Sequence, residues 1–191
     1  MNEIEVIIIG ISNLLKPSTS HALILEEVTS CNGGRRLAMI IGDREASDLR
    51  ACMSGYKSPR PLTYDFVNSL LHEAGISVDK AVIYDVNDGI FNSYIYCTRS
   101  DGTSFKVDSR PTDALALSFK MGYPVYVLDD LLEKEKIRIV TSDGSGFSMP
   151  LNSVGTDMLK MDLEAAVNNE DYERAAMLRD EISRRKNKDQ C

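Results

Sequence analysis

Carboxylates and guanidinium groups gather at two points of this 191-residue chain. Asp108, Arg110 and Asp113 fall where an apolar run gives way to Asp108-Ser109-Arg110-Pro111-Thr112-Asp113. Asp43, Arg44, Glu45 and Asp48 follow a similar run that ends at Gly42, and Arg60 and Asp65 lie between the two clusters. Phosphodiester hydrolysis is a chemistry that such a set can serve. Carboxylates hold Mg²⁺ or Mn²⁺ and activate water, while arginine neutralises the charge that builds on phosphorus. On that reading Asp108, Arg110 and Asp113 are the candidate catalytic residues, and Asp108 and Asp113 are the candidate metal ligands. Arg44, Glu45, Arg60 and Asp65 are candidates for substrate binding. Backbone N–H groups at the helix start after Arg110 offer a further place for a phosphate. The same residues also have a purely structural use. Asp at a helix start caps it, and a neighbouring Arg pairs with Asp113 or Asp65 to lock the corner. The sequence leaves both uses open.

Other chemistries are poorly provided for. His21 lies mid-strand and His72 late on an amphipathic helix, so no Ser–His–Asp set forms and both read as ordinary core or surface residues. A phosphate-cradling Gly-rich loop with Lys is absent. Cys31, Cys52, Cys97 and Cys191 are isolated, without a CxxC pair, which points to reduced thiols rather than zinc ligands or disulfides.

The candidate corners are positioned by two similar passes of the chain. Glu5 to Ser12, His21 to Ser30 and Arg36 to Ile41 read as strands, with a turn at Cys31-Asn32-Gly33-Gly34. Helical spacing follows Gly42, is broken by Ser58-Pro59-Arg60-Pro61, and resumes behind a Thr63 cap until Gly75. The second pass has strands at Lys80 to Val86, Ile90 to Thr98 and Ser104 to Val107. It then enters a helix with Pro111 in the first turn and Thr112 or Ser109 as cap. Setting Arg110 on Arg44 aligns Val107 with Ile41 and Leu115 with Leu49, so an internal duplication is expected. Tyr123 to Leu128 is a last strand and Asp130 to Lys136 a short helix. Residues 141–155 read as a linker, and two helices from Thr156 to Arg185 pair as a hairpin. The expected fold is α+β, mostly antiparallel sheet, followed by that helical hairpin.

Composition narrows the setting. The net charge of −7 and pI of about 4.9 argue against a protein that coats nucleic acid over its whole surface. Between Arg35 and Arg60, however, six basic residues outnumber three acidic ones. The longest apolar run, Val6 to Ile9, is far below the ~18–20 residues of a membrane span. The acidic N-terminus lacks the pattern of a signal peptide, so a cytoplasmic location is expected.

Three segments carry a family resemblance. Leu37-Ala38-Met39-Ile40-Ile41-Gly42-x-x-Glu45-Ala46, Arg60-Pro61-Leu62-Thr63-Tyr64-Asp65 and Asp108-Ser109-Arg110-Pro111-Thr112-Asp113-Ala114-Leu115-Ala116-Leu117 resemble the signatures of the bifunctional nuclease domain, in order and spacing. The resemblance covers about residues 3–140, within a domain read as 1–140. It implies a compact α+β fold, a homo-oligomer and cleavage of both DNA and RNA. Tyr64 stands where that family commonly has His, which puts an imidazole base there in doubt. Leu159-x-x-Asp162-Leu163-x-x-Ala166 and Asp171-Tyr172-Glu173-x-Ala175-Ala176-x-Leu178-Arg179-Asp180-x-Ile182 are similar to the UVR motif, over residues 156–187. That resemblance implies contact with a protein partner. The leading expectation is a nuclease of low sequence specificity. Its rival is a non-enzymatic adaptor in repair or stress response.

Overall fold

The computed structural model describes residues 2–13, 19–28, 33–139 and 147–188. β1 (Glu3–Ile11), β2 (Ser20–Glu27) and β3 (Arg36–Gly42) form an antiparallel meander that runs into α1 (Asp43–Met53) and α2 (Thr63–Glu73). β4 (Ile76–Asn87), β5 (Ile90–Arg99) and β6 (Ser104–Ser109) form a second meander that runs into α3 (Pro111–Met121). β7 (Val125–Leu128) slots between the two, antiparallel to β1 and parallel to β4. The result is one seven-stranded sheet in the order β3-β2-β1-β7-β4-β5-β6. α4 (Asp129–Glu135), β8 (Arg138–Ile139) and β9 (Phe147–Ser148) follow, then a 3₁₀ turn at Leu151–Ser153. α5 (Thr156–Asn168) and α6 (Tyr172–Lys188) close the chain as a hairpin. The fold is α+β with a mostly antiparallel sheet, as the sequence indicated.

The alternation of the strands explains the layering. Leu23, Leu25, Leu37, Ile83 and Val127 are fully buried on one face, where they meet Ala46 and Leu49 of α1 and Ala114 and Leu115 of α3. Their register neighbours point the other way, so Ile7 and Ile9 remain exposed on β1. The β4–β5 connection has positive φ at both Asp88 and Gly89 (52° and 83°), the requirement of a tight two-residue hairpin.

The strand–helix topology recurs, but its register is not the one the sequence suggested. The N-cap of α1 is Gly42 and that of α3 is Arg110, so the caps align Asp113 with Glu45 rather than Arg110 with Arg44. The expected hydroxyl caps are also absent. Thr63 and Thr112 lie inside their helices, after Leu62 and Arg110. Instead the third residue of α1 and of α2 reaches back: Glu45 accepts the Gly42 N–H (2.9 Å) and Asp65 accepts the Leu62 N–H (3.1 Å). Of the turn at 31–34, residues 31 and 32 lie outside the described residues.

The described part of the stretch read as a linker, 147–155, is packed against the body. The Gly89 N–H donates to the Asn152 carbonyl (2.8 Å), and the Asn152 amide donates to Val86 O and Glu135 Oε1. A Cβ on Gly89 would stand 2.4 Å from the Gly155 nitrogen, so only glycine fits this junction. The hairpin has its own small core of Leu159, Ala166, Ala175, Leu178 and Ile182. Arg185 is not part of a solvated basic tail; it is 2% exposed and donates to Val154 O (2.8 Å), Leu151 O (2.7 Å) and Glu181 Oε1 (2.8 Å). Asp88 Oδ1 lies 3.1 Å from the same Nε as a charge partner only, because the single Nε–H is already given to Glu181. Among the described residues no helix is long and apolar enough to cross a membrane. Cys52 and Cys97 are free thiols; Cys31 and Cys191 lie outside the described residues.

Candidate nuclease site

The first turns of α1, α2 and α3 supply the site. Each has a carboxylate at its third position, Glu45, Asp65 and Asp113, where it complements the partial positive charge of the helix N-terminus. Arg110 bridges two of them. Its Nε and one terminal nitrogen grip Asp113 in a fork (2.7 and 2.9 Å), and its other terminal nitrogen donates to Glu45 Oε1 (3.0 Å). Thr112 Oγ1 donates to the same Glu45 oxygen (3.1 Å), and the Tyr64 hydroxyl donates to Asp113 Oδ1 (2.9 Å). The corner thus ties α1 to α3 through one guanidinium, and α2 joins through Tyr64 on Asp113. Arg110 still keeps 63% of its side chain exposed, against 27% for Glu45 and 30% for Asp113.

The electrostatics follow from these contacts. Asp113, then Glu45, raise the Arg110 guanidinium above its ordinary value, so it stays charged. Burial first, and the bond to Asp113 second, push the Tyr64 phenol well above the usual tyrosine range. Tyr64 is therefore a permanent donor, a role different from that of an imidazole base.

The remaining sequence candidates make no bond to Arg110. Asp65 pairs with Lys120 near the far end of α3 (2.7 Å), and that ammonium with the Leu62 N–H lowers its carboxyl. Asp108 does not join the corner. It stands opposite Tyr94 in the β5–β6 register, whereas its neighbour Ser109 stands opposite the buried Ser93. Strand alternation therefore puts Asp108 on the sheet face turned away from α3. Arg44 and Arg60 are exposed, and among the described residues neither makes an ion pair. Of the six bases between Arg35 and Arg60, Arg35 is consumed by Glu27, Asp129 and Glu133, and Arg36 by Glu26.

Thr112 and Tyr64 are the residues of the Arg110 network that the sequence did not single out as site residues, and beside α1 the buried His21 pairs with Asp43. His21 is 4% exposed, with Nδ1 2.8 Å from Ser12 O and Nε2 3.2 Å from Asp43 Oδ1 in the first turn of α1. The signal was present: His21 sits opposite Ile41 once β2 and β3 are paired, two residues before Asp43. Glu45 and Asp113 are already neutralised by Arg110, Asp108 faces away, and among the described residues no three His, Cys, Asp or Glu side chains converge. This arrangement does not fit Mg²⁺ or Mn²⁺.

With this geometry in place, comparison with known proteins gives the class. Residues 23–140 match the bifunctional nuclease domain, more than half of the chain, and residues 159–188 match the UvrB/uvrC motif. The chain belongs to the bifunctional nuclease domain family. Two proteins of Mycobacterium tuberculosis are similar to it, uncharacterized protein Rv1829 of strain H37Rv and uncharacterized protein MT1877 of strain CDC 1551. Each is 32% identical over 135 residues, covering 71% of this chain and 77% of the relative.

Proposed function

We propose that this chain hydrolyses phosphodiester bonds in DNA or RNA with low sequence specificity, and that the Arg110 corner binds the scissile phosphate. The observation that carries this reading is the exposure of Arg110 together with its attachment to two carboxylates. A phosphate dianion or diester competes for the same fork as Asp113. As Arg110 turns to the phosphate, Asp113 loses its counter-charge and accepts a proton from the water that attacks phosphorus; the ester P–O bond opposite the water breaks, and the departing oxygen takes its proton from solvent. Tyr64, held protonated, keeps that carboxylate in place. The exposed Arg44 and Arg60 supply unpaired positive charge beside an otherwise acidic surface. The step needs no metal among these residues, and Asp108 has no part in it at this corner.

The hairpin is proposed to recruit a protein partner, because Val167, Tyr172 and Met177 remain exposed on it (51%, 69% and 60%). The chain is further proposed to be cytoplasmic and homo-oligomeric. An adaptor without enzymatic activity is the second reading; it is favoured by the way Arg110 and its carboxylates neutralise one another with the corner closed.

The test is cleavage of labelled single-stranded DNA and RNA by highly purified protein with Mg²⁺, Mn²⁺ or EDTA. Arg110→Ala, Asp113→Asn and Asp108→Asn variants run alongside, with folding checked. Activity lost in the first two and kept in Asp108→Asn supports the corner. Cleavage abolished by EDTA, or by Asp108→Asn, contradicts the metal-free step. Absence of activity under every condition gives the adaptor reading.

A further inference from the structure

The two edges of the seven-stranded sheet are finished differently. At β3, Lys136 bridges opposite Leu37 and the Ile137 N–H donates to the Arg36 carbonyl (2.8 Å). At β6, no described strand pairs with the outer side, and Ser104, Lys106, Val107 and Asp108 are exposed. The direction of the open groups follows from the hairpin. The Arg99 N–H donates to the Thr103 carbonyl, so the pairs Cys97–Phe105, Ile95–Val107 and Ser93–Ser109 exchange ladder bonds with β5. The N–H and C=O groups of Ser104, Lys106 and Asp108 therefore point away from the sheet. An open edge of this kind is a template for another strand.

We propose that the homo-oligomer put forward above, on which this inference rests, forms by antiparallel pairing of β6 with β6 of a second copy of this chain, about a two-fold axis through Val107. In that register Lys106 lies opposite the partner's Asp108, and Asp108 opposite the partner's Lys106, each in a hydrogen-bonded pair on one face. Moving the axis to Lys106 sets ammonium against ammonium; moving it to Asp108 sets carboxylate against carboxylate. The sequence Ser-Phe-Lys-Val-Asp-Ser is thus complementary to itself in one register and repelled from its neighbours. The two charges that would guard an isolated edge here select a partner. A cyclic two-fold pair also closes, which stops the sheet from growing further. Val107, 49% exposed, meets its own symmetry mate across the axis.

The pairing has a consequence for the proposed activity. It lays the start of one β6 beside the end of the other, with Ser104 opposite the partner's Arg110. A cavity of about 370 Å³ lined by Lys80, Tyr96, Phe105 and Lys106 then lies next to the partner's corner. Its Tyr96 and Phe105 rings offer faces on which bases of a strand bound at that corner can stack, whereas Lys80 is already paired with Glu3 and Lys106 with the partner's Asp108.

Sedimentation equilibrium of the full chain, from low to high micromolar concentration, tests the pairing. The wild type is expected to dimerise. Lys106→Asp and Asp108→Lys should each weaken the dimer roughly tenfold, since two attractive pairs become repulsive. The double variant Lys106→Asp/Asp108→Lys should restore it. Val107→Cys should cross-link to its mate on mild oxidation, because facing residues in a non-hydrogen-bonded pair stand about 4.5 Å apart at Cα, within disulfide reach. A monomer at every concentration overturns the proposal. So does a dimer indifferent to both single reversals, or a folded double variant that stays dissociated. None of these readouts involves cleavage, so this test and the activity assay fail independently.

Discussion

Arg110 and Arg185 do the same thing in two parts of the molecule, with opposite exposure. Each guanidinium bridges two acidic side chains, Glu45 and Asp113 in one case and Asp88 and Glu181 in the other. Arg185 is 2% exposed and also holds two backbone carbonyls, so its donors are committed to keeping the hairpin on the β4–β5 turn. Arg110 is 63% exposed and holds carboxylates alone, which water and phosphate can replace. Breaking a buried bridge leaves its partners' desolvation cost uncompensated; breaking an exposed one loses little. The difference separates a structural clamp from a site that can exchange partners.

Breaking the buried bridge should have the largest effect on stability. Arg185→Ala leaves the Val154 and Leu151 carbonyls without their donor and Glu181 and Asp88 with Arg184 as their remaining cation, and is expected to cost about 3–5 kcal/mol. Thermal unfolding and amide exchange in α6 should both register the loss, with the body's exchange little changed. Arg110→Ala inverts the pattern. It should cost under about 1 kcal/mol of stability, while phosphodiester cleavage falls about 100- to 1,000-fold, the scale of losing one transition-state donor. Equal stability losses in the two variants would erase the distinction.

Acid sharpens the comparison. Arg184, and then Arg185, hold the Glu181 carboxyl down to about 2 from an ordinary 4.5. A depressed acid contributes stability that is complete above its ordinary value and is lost as pH falls toward the folded value. The hairpin clamp should therefore weaken between about pH 4.5 and 2, by up to about 3 kcal/mol. Glu181→Gln should flatten that dependence in an acid titration followed by α6 exchange. The smallest effect on cleavage is expected at Tyr64→Phe. Loss of its hydroxyl bond to Asp113 should cost about 1 kcal/mol in unfolding measurements, and less cleavage activity than Arg110→Ala.

What the sequence disclosed depended on range. The meanders and the paired C-terminal helices are set by alternation and small-residue spacing within a few positions. The Arg110–Asp113 fork was also visible, since three residues separate the two on one helix face. Glu45 and Tyr64 reach that fork from 65 and 49 positions away, through packing of α1 and α2 on α3, which no local pattern encodes. β7 was recognisable as a strand, but its place between β1 and β4 depends on pairings across the whole chain. Asp108 was misplaced for another reason: adjacency in sequence was read as adjacency in space, although the strand turns it toward Tyr94. Arg185 is buried by the docking of 151–154 against α6, which nothing in its own helix encodes.

The central claim is that Arg110 exchanges Asp113 for phosphate while Arg185 stays fixed. Following the arginine Nε–H resonances during titration with a non-hydrolysable dinucleotide tests it most directly. The Arg110 signal should move with saturation as Asp113 is displaced, and the Arg185 signal should remain where it is. An Arg110 signal unmoved up to concentrations at which the dinucleotide binds elsewhere on the chain would contradict the account.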